Sequence, residues 1–226
     1  MNSANLEIAC FNLQSALIAQ QGGADRIELC ADFSAGGITP DYGTVETARK
    51  LISVDLFVMI RPRGGNFVYS IEELSTMADD ILHFKEYSVN GFVFGILNSN
   101  GTVNKEQCKQ LVKLAGATPC TFHRAFDFCT DLNRALEDVI ECGFQTILTS
   151  GQASSAVDGI SSLNLLAAKS KGRIGIMPGG GIRSSNIDAL TQKVSLPYYH
   201  SSAILRHDIA DLNEVRLLKE KLSRHQ

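Results

Sequence analysis

Short apolar segments recur along the chain and alternate with longer amphipathic stretches. A short apolar run is typical of a buried strand, and a stretch with apolar residues three and four apart is typical of a helix packed on one face. Eight segments fit the strand pattern: LEIAC from residue 6, RIEL from 26, LFVMI from 56, GFVFGI from 91, PCTFH from 119, FQTILT from 144, RIGIM from 173 and LPYYH from 196. Strand and helix are therefore predicted to alternate along the whole chain.

The amphipathic stretches carry their own boundary signals. They include residues 13–21, 70–87, 105–115, 132–141 and 213–222. Glycine favours the left-handed backbone that ends many helices, so Gly22 with Gly23 is predicted to terminate the first helix and Gly143 the fifth. Ser70 followed by Glu73 has the spacing of a capping box and predicts the start of the third.

Regular alternation of strand and helix predicts parallel strands joined by right-handed crossovers. Eight such units in 226 residues fit an α/β fold of the (β/α)8 TIM-barrel type, whose usual length is about 250 residues. A doubly wound open sheet is the alternative, but a glycine-rich phosphate loop is expected after its first strand. The first strand runs instead into Cys10-Phe11-Asn12-Leu13. We therefore predict a single barrel domain over residues 1–226.

Charge and composition restrict the partners. The net charge is −3 and no basic run is present, so no long-range field attracts nucleic acid or an anionic membrane. The longest apolar run, residues 91–97, is far shorter than the roughly 20 residues of a membrane-spanning helix. An anionic ligand must therefore be held by local contacts.

The N-terminal segment and the cysteines predict a cytoplasmic location. MNSANLEIACFN lacks both the basic start and the apolar centre of a signal peptide. The six cysteines include no Cys-x-x-Cys pair, which makes structural disulfides and structural zinc poor explanations for them.

The most specific motif is the triglycine of MPGGGI, which follows the seventh strand. Gly179, Gly180 and Gly181 can turn the backbone tightly and expose N–H groups, and a helix start beyond them adds a positive dipole end. Ser201 and Ser202 follow the eighth strand, and loops after strands seven and eight hold phosphate in this fold. We expect an anion-binding site here; a simple tight turn is the alternative.

Charged residues within apolar strands need partners. Glu7 and Glu28 lie inside LEIAC and RIEL, and an unpaired buried carboxylate costs several kcal/mol. Arg61 and Arg63 end the third strand and are the candidate partners, since arginine grips carboxylates and phosphates with two parallel hydrogen bonds. The two glutamates and Arg61 are either catalytic or part of a structural ion-pair layer, and Arg63 is also a candidate anion ligand.

Polar residues gather at the end of the fifth strand. His123 has a side chain able to act as acid or base near neutral pH. Asp127 either orients that imidazole or caps the helix that begins near Asp131. His200, at the end of the eighth strand, is expected to face His123 across the barrel mouth. We take His123, Asp127 and His200 as candidate catalytic residues.

Cys10 and Cys30 end the first two strands. Neighbouring strand ends can bring two thiolates together for linear coordination of a soft ion such as Cu(I). However, Cys30 shares the parity of Glu28 whereas Cys10 has the parity opposite to Glu7, so a shared site needs an irregular strand end. On residue chemistry alone, the interpretation of both thiols as buried structural cysteines is favoured.

Several motifs together resemble the CutC family of copper homeostasis proteins: GGADRIELC at 22–30, GGITP at 36–40, VMIRPRGG at 58–65, TFHRAFD at 121–127, LTSG at 148–151, and GRI followed by MPGGGI up to residue 182. The matches keep their order over essentially the whole chain. The resemblance implies a cytosolic (β/α)8 barrel that forms homodimers or higher homo-oligomers and is linked to cellular copper. It also implies that Cys10 and Cys30 are Cu(I) ligands, and it assigns no reaction.

Two functions follow from these observations. The chain is either a copper handler that uses Cys10 and Cys30, or an enzyme or binder for a small anionic, phosphorylated metabolite. The second explains the two strand glutamates, the arginines and the triglycine, none of which copper handling requires. Residue chemistry therefore favours the anionic metabolite, whereas the resemblance favours copper.

Overall fold

The structure is a computed structural model and describes residues 4–224. Its strands are β1 (Asn5–Cys10), β2 (Arg26–Leu29), β3 (Asp55–Met59), β4 (Gly91–Phe94), β5 (Cys120–Phe122), β6 (Thr146–Thr149), β7 (Gly175–Pro178) and β8 (Tyr198–Ser201). Its helices are α1 (Leu13–Gly22), α2 (Tyr42–Leu51), α3 (Ile71–Glu86), α4 (Lys105–Ala115), α5 (Leu132–Cys142), α6 (Ile160–Ser170), α7 (Ile187–Thr191) and α8 (Leu212–Arg224). A 3-10 helix spans Arg124–Phe128 between β5 and α5. Each strand overlaps one of the eight predicted apolar segments.

The strands form one parallel sheet in the order β7-β6-β5-β4-β3-β2-β1-β8, which curls into a nearly closed barrel. Sequential neighbours confirm the (β/α)8 prediction and exclude the doubly wound alternative. The seam lies between β7 and β8, where no ladder is assigned among the described residues. Gly175 and Gly179 donate their N–H groups toward β6. Because the N–H direction alternates along a strand, the backbone nitrogen of Pro178 faces β8, and proline has no N–H to donate there.

The helix ends agree with the local signals. Gly23 follows α1 and Gly143 follows α5, each with a φ near +90° (92° and 91°) that glycine adopts without strain. The Ser70–Glu73 capping box is present at the start of α3. No helix within residues 4–224 is long and apolar enough to cross a bilayer.

The barrel wall separates an apolar layer, which lies between the strands and the helices, from the inside of the barrel. Residues such as Ile8, Leu29 and Phe122 are fully buried in the apolar layer between strands and helices. Residues of the opposite parity face the barrel axis, and these include Glu7 and Glu28. Ionisable groups are thus packed within the barrel itself, below the C-terminal ends of the strands.

Candidate functional site

A cavity of about 220 Å³ opens at the C-terminal ends of the strands. This is the face on which TIM barrels place their active sites. Its lining combines apolar and ionisable groups, including Ala9, Glu28, Cys30, Met59, Arg61, His123, Arg124, Gly180, Arg183 and His200. The volume is below the roughly 300–1,000 Å³ of a drug-sized pocket, so it suits a small metabolite.

Glu7 is fully buried and belongs to a charge network that includes His200, a residue of the cavity lining. Its carboxylate accepts a hydrogen bond from Arg26 at 3.2 Å and bonds to His200 Nδ1 at 2.7 Å. The strand register explains this, because Glu7 pairs with Arg26 on one side and His200 on the other. The Arg26 guanidinium is held between the rings of Phe57 and Tyr198, 3.9 and 4.1 Å from their centroids.

These contacts correct the expectation that Arg61 and Arg63 neutralise the strand glutamates. The partner of Glu7 is Arg26, which shares the inward parity of Glu28 and stands beside Glu7 in the sheet. The signal was present in RIEL, where an arginine and a glutamate are two positions apart, but using it required the β1–β2 register.

Glu28 stands at the cavity wall with one oxygen unused. Its Oε2 is 3.7 Å from His200 Nε2, and its buried Oε1 has no hydrogen-bond partner. Burial is the main cause that raises the pKa of Glu28 from 4.5 to about 7, against the opposing positive charge of His200. Glu28 therefore exchanges a proton near neutral pH.

The pKa shifts of Glu7 and His200 favour their charged forms, unlike the shift of Glu28. Burial opposes ionisation of Glu7, but the hydrogen bond and charge of His200 outweigh it and the pKa of Glu7 is lowered. Burial likewise disfavours charged His200, yet its bond to Glu7 and the charge of Glu28 raise its pKa. Glu7 is thus held ionised beside a protonated His200, while Glu28 is the group able to change state.

The side chains of Glu7, Glu28 and His200 also form the one cluster within residues 4–224 whose ligand atoms, one from each residue, all lie within 4.8 Å of one another. Two carboxylates and an imidazole are a donor set suited to divalent ions. In this structure both imidazole nitrogens already face carboxylates, so a cation must displace that arrangement to bind.

His123 follows β5 and lines the cavity, confirming that the end of this strand enters the barrel mouth. Its Nδ1 accepts a hydrogen bond from the Ala125 N–H at 3.3 Å, which places the ring proton on Nε2. That Nε2 is buried and has no partner. Burial and then the nearby Arg61 charge lower the pKa of His123 to about 3, so the imidazole is neutral at physiological pH.

Asp127 plays neither of the two roles expected for it. It accepts hydrogen bonds from Ser150 N–H at 3.0 Å and from the Thr149 hydroxyl, and it pairs with Arg124 Nε at 2.8 Å. The cap of α5 is Asp131. Asp127 therefore joins the β5 exit to the β6 loop and fixes Arg124, without contacting His123.

Arg61 lines the cavity but is occupied by backbone. It donates to the carbonyls of Ala35, Gly36 and Gly37 at 3.1, 3.3 and 2.9 Å and to that of Gly65 at 3.0 Å. Carbonyls satisfy hydrogen bonds without neutralising charge. Arg61 thus ties together the loops after β2 and β3 and leaves a net positive charge at the cavity.

Arg63 lies outside the cavity lining. It forms an ion pair with Glu73 at 2.5 Å, with 40% of its side chain exposed. The expectation that Arg63 binds an anion at the mouth therefore finds no support in its position. Its side chain stabilises the start of α3, because Glu73 also closes the capping box with Ser70.

The three glycines of the triglycine differ in role: Gly179 is packed against its neighbours, whereas Gly180 and Gly181 line the cavity. The Gly179 N–H bonds to the Thr149 carbonyl at 3.0 Å, and a Cβ here would stand 2.4 Å from Leu148. Gly180 and Gly181 line the cavity with φ of 106° and 73°, and their N–H groups make no hydrogen bond to any described residue. Helix α7 begins only at Ile187, so the donors come from the loop and not from a helix terminus.

Two arginines that sequence reasoning did not assign to the site stand beside these glycines. Arg124 is in contact range of Gly180, since its Cζ is 3.3 Å from a Cβ built there. Arg183 donates to the hydroxyls of Ser201 and Ser202 at 3.2 and 3.3 Å. Burial lowers the pKa of Arg183. Arg124 comes directly after His123 at the end of β5, and Arg183 follows the triglycine beyond β7; these positions were the available signal.

The two candidate copper ligands lie in different environments. Cys30 lines the cavity and packs inside the barrel with Phe57 and Met59. Cys10 belongs to the apolar layer outside the strands and directs its Sγ toward the Ile8 carbonyl at 3.5 Å. Burial raises the pKa of both thiols well above the usual range. The two side chains therefore pack on different sides of the barrel wall, as the strand parity indicates.

The fold and cavity define a (β/α)8 barrel with a polar, mixed-charge site at the C-terminal face. Comparison with known proteins gives its family. The chain matches the CutC family over residues 4–205, and it belongs to that family. A human copper homeostasis protein cutC homolog is 42% identical over 198 residues, which cover 88% of this chain and 72% of the human one. A CutC family protein of Xylella fastidiosa is 41% identical over 201 residues, covering 89% and 75%.

Solved structures agree. A crystal structure of CutC from Streptococcus agalactiae superposes with a TM-score of 0.84 at 32% identity, covering 88% of this chain and 98% of that one. Phosphoribosylanthranilate isomerase from Thermotoga maritima has a TM-score of 0.63 at 15% identity, covering 98% and 99%. The second likeness is one of fold alone.

Proposed function

We propose that this CutC-family protein binds a small anionic metabolite, such as a phosphate monoester, in the barrel-mouth cavity. The observation that carries the proposal is the pair of unengaged N–H groups of Gly180 and Gly181 beside the charges of Arg124 and Arg183. Backbone N–H groups and guanidinium groups together are the usual ligands of phosphate. Because the chain is net negative, such local donors supply the attraction.

The rest of the cavity favours an enzyme over a simple binder. Glu28 titrates near neutral pH, and His123 stands in the same lining with a neutral imidazole. Perturbed ionisable groups that share a cavity with an anion site are typical of catalytic centres. Binding a metabolite would not by itself require a buried glutamate poised to exchange a proton.

Calorimetric titration with inorganic phosphate tests the anion site. Loss of a charge-assisted contact costs about 1.5–3 kcal/mol, so Arg124→Gln should weaken phosphate at least about tenfold. Arg63→Gln is the matched control, because it removes an arginine that faces Glu73 outside the cavity. Equal phosphate affinity in both variants and in the unmodified protein would refute the site.

Cu(I) binding by Cys10 and Cys30 is the second candidate function. One contact favours it: the Cys30 N–H donates to the Cys10 carbonyl at 2.7 Å, which holds the two strand ends together. The names of the related proteins also refer to copper homeostasis. Because the thiols lie on different sides of the barrel wall, a two-thiolate site requires a change of backbone at Cys10.

A competition titration with a Cu(I) chelator distinguishes the two candidates. The copper proposal requires one tightly held ion per chain that is lost when Cys10 and Cys30 are both replaced by serine. Cys120→Ser is the control, since that thiol is buried at β5, away from the cavity lining. Unchanged stoichiometry in the double variant rules out these thiols as the site.

We also propose a cytosolic location and a homo-oligomeric state for the protein. All six cysteines are free thiols, which suits a reducing compartment. The oligomeric state follows from the family resemblance and stays a prediction. Sedimentation of the purified chain tests it directly.

A further inference from the structure

Two residues that line one cavity each carry a buried polar atom without a hydrogen-bond partner. Glu28 Oε1 comes from β2, and His123 Nε2 comes from the end of β5. Three strand steps separate β2 from β5 in the sheet order, so the two groups reach the cavity from nearly opposite walls. A buried polar atom without a partner is costly, and a ligand placed between these walls would satisfy both.

We propose that the cavity catalyses proton transfer at the carbon next to the carbonyl of a small phosphorylated sugar, with Glu28 as the base and His123 as the hydrogen-bond donor to the carbonyl oxygen. The substrate class is a short ketose or aldose phosphate. This inference rests on the proposed anion site, which would hold the phosphate at Gly180 and Gly181 while the carbonyl reaches His123.

The step balances without an oxidant, a reductant or another reactant. Ionised Glu28 removes the C–H proton, and the electron pair of that bond forms the C=C of an enediolate. The carbonyl electrons move to oxygen, which accepts the His123 Nε2–H hydrogen bond. Glu28 then returns the proton to the same carbon or to its neighbour, and in the second case the hydroxyl proton moves between the two oxygens. The product is an isomer or an exchanged substrate.

The protonation states suit this division of roles. Since Ala125 N–H occupies Nδ1 of His123, the neutral ring can donate only through Nε2. Arg61, which donates its hydrogen bonds to backbone carbonyls of two loops, adds positive charge near the developing enediolate. Preorganised donors act most strongly at such a site. Glu28, with an unpartnered carboxylate oxygen on the opposite wall, is placed to accept the C–H proton and return it.

The remaining buried charges position the base. His200 lies between Glu7 and Glu28, 2.7 Å from the first carboxylate and 3.7 Å from the second. Because Glu7 is itself fixed by Arg26, the imidazole is held in one orientation against Glu28. We therefore assign Glu7, Arg26 and His200 as positioning residues.

The experiment measures deuterium incorporation from D2O into dihydroxyacetone phosphate and ribulose 5-phosphate by NMR, with calorimetric binding of the same compounds in parallel. The protein should accelerate exchange next to the carbonyl of at least one compound. Glu28→Gln should lower that rate at least about 100-fold while binding is kept. His123→Phe keeps a ring against Phe67 and should lower it about 100-fold as well. The control Arg63→Gln should match the unmodified protein.

The outcomes separate this inference from the proposed function. Binding of both compounds without exchange overturns proton transfer and leaves the anion site standing. Failure of both compounds and of inorganic phosphate to bind removes the anion site, and the inference with it. Exchange that survives in Glu28→Gln, with intact binding showing a folded protein, overturns the assignment of the base.

Discussion

The titration of Glu28 makes a quantitative prediction about stability. Glu28 is 2% exposed inside the barrel, and the pKa of its carboxyl is raised from 4.5 to about 7, mainly by burial. In the unfolded chain Glu28 loses its proton near pH 4.5, whereas the folded protein keeps it until about pH 7. Between these pH values the folded state binds more protons, so the free energy of unfolding attributable to Glu28 falls as pH rises.

The magnitude follows from the displacement of the pKa. A change from 4.5 to about 7 corresponds to roughly 2.5 kcal/mol of stability lost by pH 8.5 relative to pH 5. Glu28→Gln removes the titration while keeping the shape of the neutral side chain. We expect the two proteins to have similar stability at pH 5, and the variant to gain about 2.5 kcal/mol over the unmodified chain by pH 8.5.

Urea unfolding at several pH values between 5 and 8.5 measures this difference. Glu46→Gln is the matched control: Glu46 is exposed on α2 and bonds to Lys50, which lowers its pKa, so its titration lies below the window. Its stability should run parallel to that of the unmodified protein. A constant difference between Glu28→Gln and the unmodified chain would show that Glu28 is already ionised at pH 5 and would refute the reasoning from burial.

Three further substitutions test other parts of the structure. Gly159→Ala should prevent stable folding, measured by circular dichroism, because its Cβ would stand 1.8 Å from the Ser150 carbonyl oxygen. Gly172→Ala is the comparison, because a Cβ at Gly172 would meet open space and only the φ of 74° opposes it. Backbone strain of about 1–2 kcal/mol is therefore expected there. Equal losses of stability at both glycines would contradict the contact argument. Ser70→Ala should lower the free energy of unfolding by about 1 kcal/mol through loss of the capping box, whereas no loss in a urea titration would show that the cap is not stabilising.

The barrel could be predicted from the sequence because the information is local. Each strand is a short apolar run and each crossover a helix with recognisable ends, as Gly143 and Ser70 show. Parity along one strand also placed Glu28 and Cys30 on the same side correctly. Such inferences need only the alternation of side chains within a strand.

The partners within the site could not be predicted, because they depend on register between strands and on loop conformation. Arg61 was expected to meet a glutamate but meets four carbonyls, because the loops after β2 and β3 fold over its guanidinium group. Asp127 was expected to serve His123 but serves the loop after β6. Arginine N–H groups can donate to carbonyls, carboxylates or phosphates, so residue type alone does not choose among them.

The central claim is that Gly180 and Gly181 present free N–H groups to an anion beside Arg124 and Arg183. A phosphate titration followed by amide NMR on the 15N-labelled protein tests it most directly. We expect the Gly180 and Gly181 amide signals to move in a saturable manner, and that movement to require a much higher phosphate concentration in Arg124→Gln. Unmoved glycine signals, or equal changes spread over surface amides, would contradict the account.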